Sequence, residues 1–355
     1  SNSIGMSLRD GLIFVNDYLM LHGIRDQVKI ISSGKGILAA DESTSTIGKR
    51  FNAIGLENTE LNRRNYRLLL ATTPDLAKYI NGVILFEETF TQKDDNGTPI
   101  AQLFAEQGIV PGIKVDKGLV PLAFTDEEQI TQGLDGLTER LHHYKNLGAR
   151  FAKWRNVYRI SDNTPSFTMI KAGAANLARY AACCQEAGIV PIVEPEILID
   201  GAHSIDECAD VSELVLHEVF DALFTHQVEL ESIILKPSMV TSGQTHQPFS
   251  DADEIAAYTL HVFRNHVPAA VPSINFLSGG QTCEAATAHL QAINNQDSQP
   301  WNLSFSFGRA LQEICIKAWG GQEANIEQAQ QALLKRARLN SLATIGQYHP
   351  DLEHA

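Results

Sequence analysis

The chain lacks any long hydrophobic run. No stretch approaches the roughly 20 apolar residues that a bilayer crossing needs, and the N-terminus shows no signal-peptide order of basic, apolar and small residues. A soluble protein with no membrane partner is expected. A basic surplus is also missing: 28 Lys and Arg stand against 42 Asp and Glu, a net charge of −14. That balance argues against nucleic acid as a partner, and any anionic ligand must find a local basic pocket. Cysteine is sparse. Cys183, Cys184, Cys208, Cys283 and Cys315 make an odd set without a CxxC pair, which disfavours a disulfide framework or a zinc site and favours reduced, buried thiols in the cytoplasm. No low-complexity linker divides the chain, so 1–355 reads as one domain.

What the sequence does contain is one repeated pattern: a short apolar or β-branched run, a polar cluster where it stops, then a stretch with helical periodicity. It occurs eight times. The runs are "KGILAADES", "INGVILFEETF", "VPGIKVDKG", "ARFAKWRNVYRI", "IVPIVEPEIL", "ESIILKPSMV", "VPSINFLSGG" and "WNLSFSFGR". Segments such as "DEEQITQGLDGLTERLHHYKNLG" and "VSELVLHEVFDALFTHQV" lie between them and carry apolar residues at helix spacing. Eight strand–helix alternations in one chain of 355 residues predict an α/β fold, a (β/α)8 TIM barrel over about 30–320. An N-terminal helical segment precedes it, and a helix with a short mobile tail, 321–355, follows. A doubly wound sheet is disfavoured because the glycines of "SGKGILAA" precede the first run instead of following it.

Active sites of such barrels sit at the C-terminal ends of the strands, and residues two apart on a strand share a side. Glu194 and Glu196 in "VEPE" therefore face one cavity, as do Lys153 and Arg155 in "KWR" and Lys114 and Asp116 in "KVD". Asp41 and Lys236 each close a further run. Two lysines in one cavity depress each other's pKa, and desolvation acts in the same direction, so Lys236 or Lys153 suits Schiff-base formation. Two nearby carboxylates split their titrations, which suits a proton donor and acceptor. A phosphate site is signalled by Ser278-Gly279-Gly280 before a helix, and one strand later by Gly308 and Arg309. Lys49, Arg50, Lys114 and Arg155 form a second basic set for the opposite rim. His142 and His143 diverge on a helix, and Asp94-Asp95 reads as a turn, so no metal site is expected.

Assembled in order, "GILAADESTSTIGKRF", "LFEETF", "GIKVDKG", "FAKWR", "VEPEIL", "LKPSMV", "FLSGGQ" and "GRALQEICIKAWGG" resemble class I fructose-bisphosphate aldolases over nearly the whole chain. The resemblance implies reversible cleavage of fructose 1,6-bisphosphate without metal or cofactor, sugar phosphates as the small-molecule partners, and a cytoplasmic homotetramer. It implies a Schiff base on Lys236, acid/base work by Glu194 with Glu196 as charge partner, Lys153 keeping Lys236 neutral, and Asp41 at the C4 hydroxyl. Ser278, Gly279, Gly280 and Arg309 correspond to the C1-phosphate site. Ser43, Thr46, Arg50, Lys114 and Arg155 correspond to the far end of the substrate, with Arg63 in "LNRR" a weaker candidate. Many relatives continue to a terminal tyrosine that aids proton exchange; Tyr348 lies before that extension, so such assistance is expected to be absent or differently supplied. The alternatives are another Schiff-base enzyme acting on a monophosphate, such as a transaldolase or deoxyribose-phosphate aldolase, and a non-catalytic phosphosugar-binding scaffold.

Overall fold

The computed structural model describes Ile30 and residues 34–355. The expected N-terminal helical segment lies outside the described residues. Each of the eight apolar runs forms a strand: β1 (Gly36–Ala40), β2 (Ile80–Leu85), β3 (Val110–Lys114), β6 (Phe151–Tyr158), β7 (Val190–Ile197), β8 (Ile234–Leu235), β9 (Ser273–Phe276) and β10 (Asn302–Phe307). They pair in parallel and close in the order β1-β10-β9-β8-β7-β6-β3-β2, a (β/α)8 barrel. Around it run α1 (Thr44–Asn52), α2 (Glu60–Ala71), α3 (Ile100–Glu106), α4 (Leu137–Asn146), α5 (Phe167–Glu186), α6 (Ile205–Thr225), α7 (Ala252–His266), α8 (Cys283–Asn294), α9 (Arg309–Trp319) and α10 (Ile326–Thr344).

Strand alternation divides the core in two. Ile37, Ala39, Ile84, Phe151, Val190, Ile192 and Ile234 point inward and fill the barrel together with Ile30. Outward neighbours such as Leu38, Trp154, Val193 and Leu235 join the larger layer under the helices. Trp154 shows the arrangement: its indole N–H donates to Asn176 of α5 at 2.7 Å, and its ring stacks on Tyr180 at 5.4 Å. Two glycines on the strands make room inside. A Cβ at Gly36 would come within 2.5 Å of the Phe305 ring, and one at Gly112 within 2.3 Å of Phe151.

Two segments differ from expectation. The stretch before α4 is only partly helical: β5 (Gln129–Thr131) pairs antiparallel with β4 (Leu119–Pro121). Gly133 and Gly136 then take φ of +128° and +69°, which delays the helix to Leu137. The chain end is docked rather than mobile. Tyr348 is buried, and its hydroxyl donates to Glu353 at 2.8 Å. Glu353 also pairs at 2.5 Å with Arg336 of α10, a guanidinium in the interior whose Nη2 reaches the Cys283 carbonyl at 3.0 Å. The five cysteines are unpaired thiols.

Glu353→Ala should therefore leave Arg336 buried with its charge uncompensated. Breaking a buried pair costs about 3 kcal/mol, to be read as a lowered denaturation midpoint. An unchanged midpoint would show that this contact does not hold the chain end.

Candidate active site

The phase that sends Val190 and Ile192 into the barrel sends Glu194 and Glu196 into its mouth one and two steps later along the same face of β7. The same continuation carries Phe151 to Lys153 and Arg155 on β6, Ile37 to Asp41 after β1, and Ile234 to Lys236 after β8. These side chains line a cavity of about 260 Å³ at the C-terminal ends of the strands.

Inside it the two lysines have unequal company. Lys153 Nζ lies 2.8 Å from Asp41, 3.6 Å from Glu194 and 4.0 Å from Asp116. Among the described residues, Lys236 Nζ has only Glu194 within ion-pair reach, at 3.8 Å. Burial opposes charge on both. At Lys153 the surrounding carboxylates outweigh it and push the pKa up. At Lys236 burial, joined by repulsion from Lys153, wins over Glu194 and Asp41 and pushes the pKa down. Glu194 is raised, chiefly by burial and against the pull of both lysines. Burial would raise Asp41 as well, but Lys153 and Lys236 hold it at about 2. The set thus consists of a fixed ammonium, a fixed carboxylate, an amine inclined to be neutral and a carboxyl inclined to be protonated.

Both rims are basic. On one side Ser278 and Gly279 line the cavity beside Gly308 and Arg309. Gly308 passes so close to β1 that a Cβ would lie 3.2 Å from the Ala39 carbonyl. Arg309 Nη2 donates to the Gln281 carbonyl at 3.2 Å, and Gln281 is in turn held by His289 and Met239, so the glycine turn is tied down from behind. On the other side stand Ser43, Thr46, Arg50, Lys114 and Arg155. Ser43 caps α1, and Arg155 pairs with Glu196 at 2.5 Å. Lys114 pairs with Asp116 at 2.8 Å.

Three candidates do not join the cavity wall. Arg63 forks onto Glu88 at 2.8 and 2.9 Å and donates to Asn58, so its guanidinium is consumed structurally. Gly280 turns away and backs onto Ile199. Lys49 stays on the surface. Glu42 and Ser306, which the sequence does not single out, do join; the buried Ser306 hydroxyl has no partner among the described residues and sits two residues before Gly308. Glu194 Oε2 and Arg50 Nη1 are likewise buried without a hydrogen bond, the mark of a surface shaped for a polar ligand.

A family model for class I fructose-bisphosphate aldolase matches residues 24–355. The chain belongs to the class I fructose-bisphosphate aldolase family. Cytosolic fructose-bisphosphate aldolase 4 of Arabidopsis thaliana is 53% identical over 331 residues, covering 93% of this chain and 84% of the plant protein. Fructose-bisphosphate aldolase 1 of Caenorhabditis elegans is 55% identical over 327 residues, covering 91% and 89%. The crystal structure of Plasmodium falciparum fructose-bisphosphate aldolase, solved with TRAP and a small-molecule inhibitor, superposes with a TM-score of 0.91 at 50% identity, covering 94% of this chain and 96% of that one. The fold and the enzyme class of this aldolase are thereby those of its family.

The depressed Asp41 carboxyl makes a pH test possible. Its folded pKa of about 2 lies below the ordinary 3.8. The stability it contributes is therefore present above pH 4 and lost as pH falls from about 4 to 2, an effect of about 2 kcal/mol. Asp41→Asn should flatten that limb of the stability–pH curve; an equally steep limb in the variant would place the acid sensitivity elsewhere.

Proposed function

We propose that this aldolase cleaves fructose 1,6-bisphosphate reversibly to dihydroxyacetone phosphate and glyceraldehyde 3-phosphate, in glycolysis and gluconeogenesis, through an imine on Lys236. The unequal company of the two lysines carries this reading: the amine facing a single carboxyl can be neutral, whereas the one paired with Asp41 cannot. The lone pair of Lys236 adds to the C2 carbonyl, and the oxygen leaves as water with protons supplied through Glu194. The resulting iminium accepts the C3–C4 bonding electrons once the C4 hydroxyl gives its proton to Asp41 or to a group that Asp41 holds. The enamine then takes a proton at C3, and hydrolysis restores the free amine with Glu194 as base.

Lys153 keeps its charge throughout. It repels a proton from Lys236 and offers donors to the C2 and C4 oxygens as negative charge develops there. A bisphosphate suits the two basic rims: Ser278, Gly279 and Arg309 at the C1 end, and Ser43, Thr46, Arg50, Lys114 and Arg155 at the other. In a chain with a net charge of −14, such local cations are what an anion needs.

A cytosolic homotetramer completes the proposal. The unpaired thiols fit that compartment.

Incubation with fructose 1,6-bisphosphate in EDTA, borohydride reduction and peptide mass spectrometry should place an adduct on Lys236, and Lys236→Met should abolish it. Cleavage that EDTA stops, with no adduct, would contradict the imine route.

A further inference from the structure

His203 lies in the loop between β7 and α6, buried to 6% exposure, and neither ring nitrogen has a hydrogen-bond partner among the described residues. His203 helps to line a cavity of about 20 Å³ that the Ser278-Gly279-Gly280 turn also lines. That volume exceeds the roughly 10–15 Å³ that one water requires. We infer that His203 holds one water against the back of this turn and, through it, sets the turn for anion binding.

Three observations support the assignment. First, the loop that carries His203 is rigid. Gln244 N donates to Ile199 O at 2.8 Å, Gly243 N to His203 O at 2.8 Å and Thr245 N to Gly201 O at 3.0 Å, which ties the loop to the segment after β8. Gly243 is required for this approach, since a Cβ would fall 2.3 Å from the Gly201 carbonyl oxygen. Second, two of the three other hydroxyls in the wall, those outside the turn itself, are already committed. Ser238 both accepts from and donates to Ile197, at 2.8 and 3.1 Å, and Thr241 donates to the Ser242 carbonyl at 2.8 Å. Third, the turn is pressed onto the His203 loop: a Cβ on Gly280 would come within 2.9 Å of Ile199 Cγ2.

Burial holds the His203 pKa below its ordinary value, so the ring is neutral at pH 7, with one donor and one acceptor nitrogen. Water satisfies both roles and has further valences for the turn. No hydrogen bond among the described residues engages the amides of Gly279 and Gly280. A turn with free amides keeps its orientation only if it is buttressed from behind. Gln281, anchored on His289, does this at one end, and the His203 water does it at the centre. His203 is thus a positioning residue that never meets the substrate.

The inference rests on the turn being the phosphate site of the proposed function, and the test separates the two. In a crystal structure of the wild-type protein, a water should lie within hydrogen-bond distance of a His203 ring nitrogen, roughly 3.2 Å or less. His203→Leu should weaken orthophosphate binding, measured by calorimetry, about tenfold. It should also raise KM for fructose 1-phosphate in similar proportion while kcat stays within about twofold. His203→Gln should recover most of the loss, because its amide offers a donor and an acceptor. Absence of the water, phosphate affinity unchanged in the leucine variant, or an equal fall in kcat for both variants would overturn the inference. Failure of the leucine variant to fold leaves the wild-type water and the glutamine variant to decide. A wild-type protein that holds the water and binds phosphate but cleaves no sugar would overturn the proposed function alone.

Discussion

Lys153 stands 2.8 Å from Asp41, within reach of Glu194 and Asp116, and deep enough that water cannot screen it. This buried ion pair sets the protonation of its neighbours. It fixes Asp41 as a carboxylate and makes a second ammonium at Lys236 costly. Glu194 lies between the two amines at 3.6 and 3.8 Å, and burial raises its pKa in spite of them. Removing either member of the pair would leave a buried charge without its partner and change every other group in the cavity.

The barrel is what permits so dense a charge cluster. β1, β6, β7 and β8 bury apolar side chains on their inner faces before presenting charged ones, so the floor of the cavity is the packed layer of Ile37, Ile84, Phe151, Ile192 and Ile234. A dry, stiff floor strengthens the electrostatics above it and holds the groups in register. A one-residue shift in β6 would exchange Lys153 for Trp154, placing an indole in the cavity and an ammonium among the helices.

Much of this was legible in the sequence because strand period and barrel polarity are both strict. The eight apolar runs became the eight barrel strands, and the rule of residues two apart correctly aimed Glu194 with Glu196 and Lys153 with Arg155. Composition could not show which lysine has its pKa lowered, since that depends on distances between strands far apart in sequence. Arg63 illustrates the opposite failure. Its motif resembled a ligand contact, but Glu88, 25 residues away, lies close enough to take both arms of the fork. β5 falls in a segment whose spacing suggests a helix because "QITQG" carries apolar residues at ambiguous intervals, and the pairing with β4 and the glycine dihedrals decide against it. The docking of the chain end rests on Arg336 inside α10, which its sequence neighbours do not distinguish from a surface arginine.

The central claim is that Lys236 is kept from ionising by burial and by the charge on Lys153. Its most direct measurement is an NMR titration of lysine side chains labelled at the ε-carbon, with the Lys236 signal assigned by its loss in Lys236→Met. The account predicts a midpoint below the ordinary lysine value of about 10.4 that moves upward in Lys153→Met. A Lys236 midpoint at or above that value in the wild-type protein would contradict it.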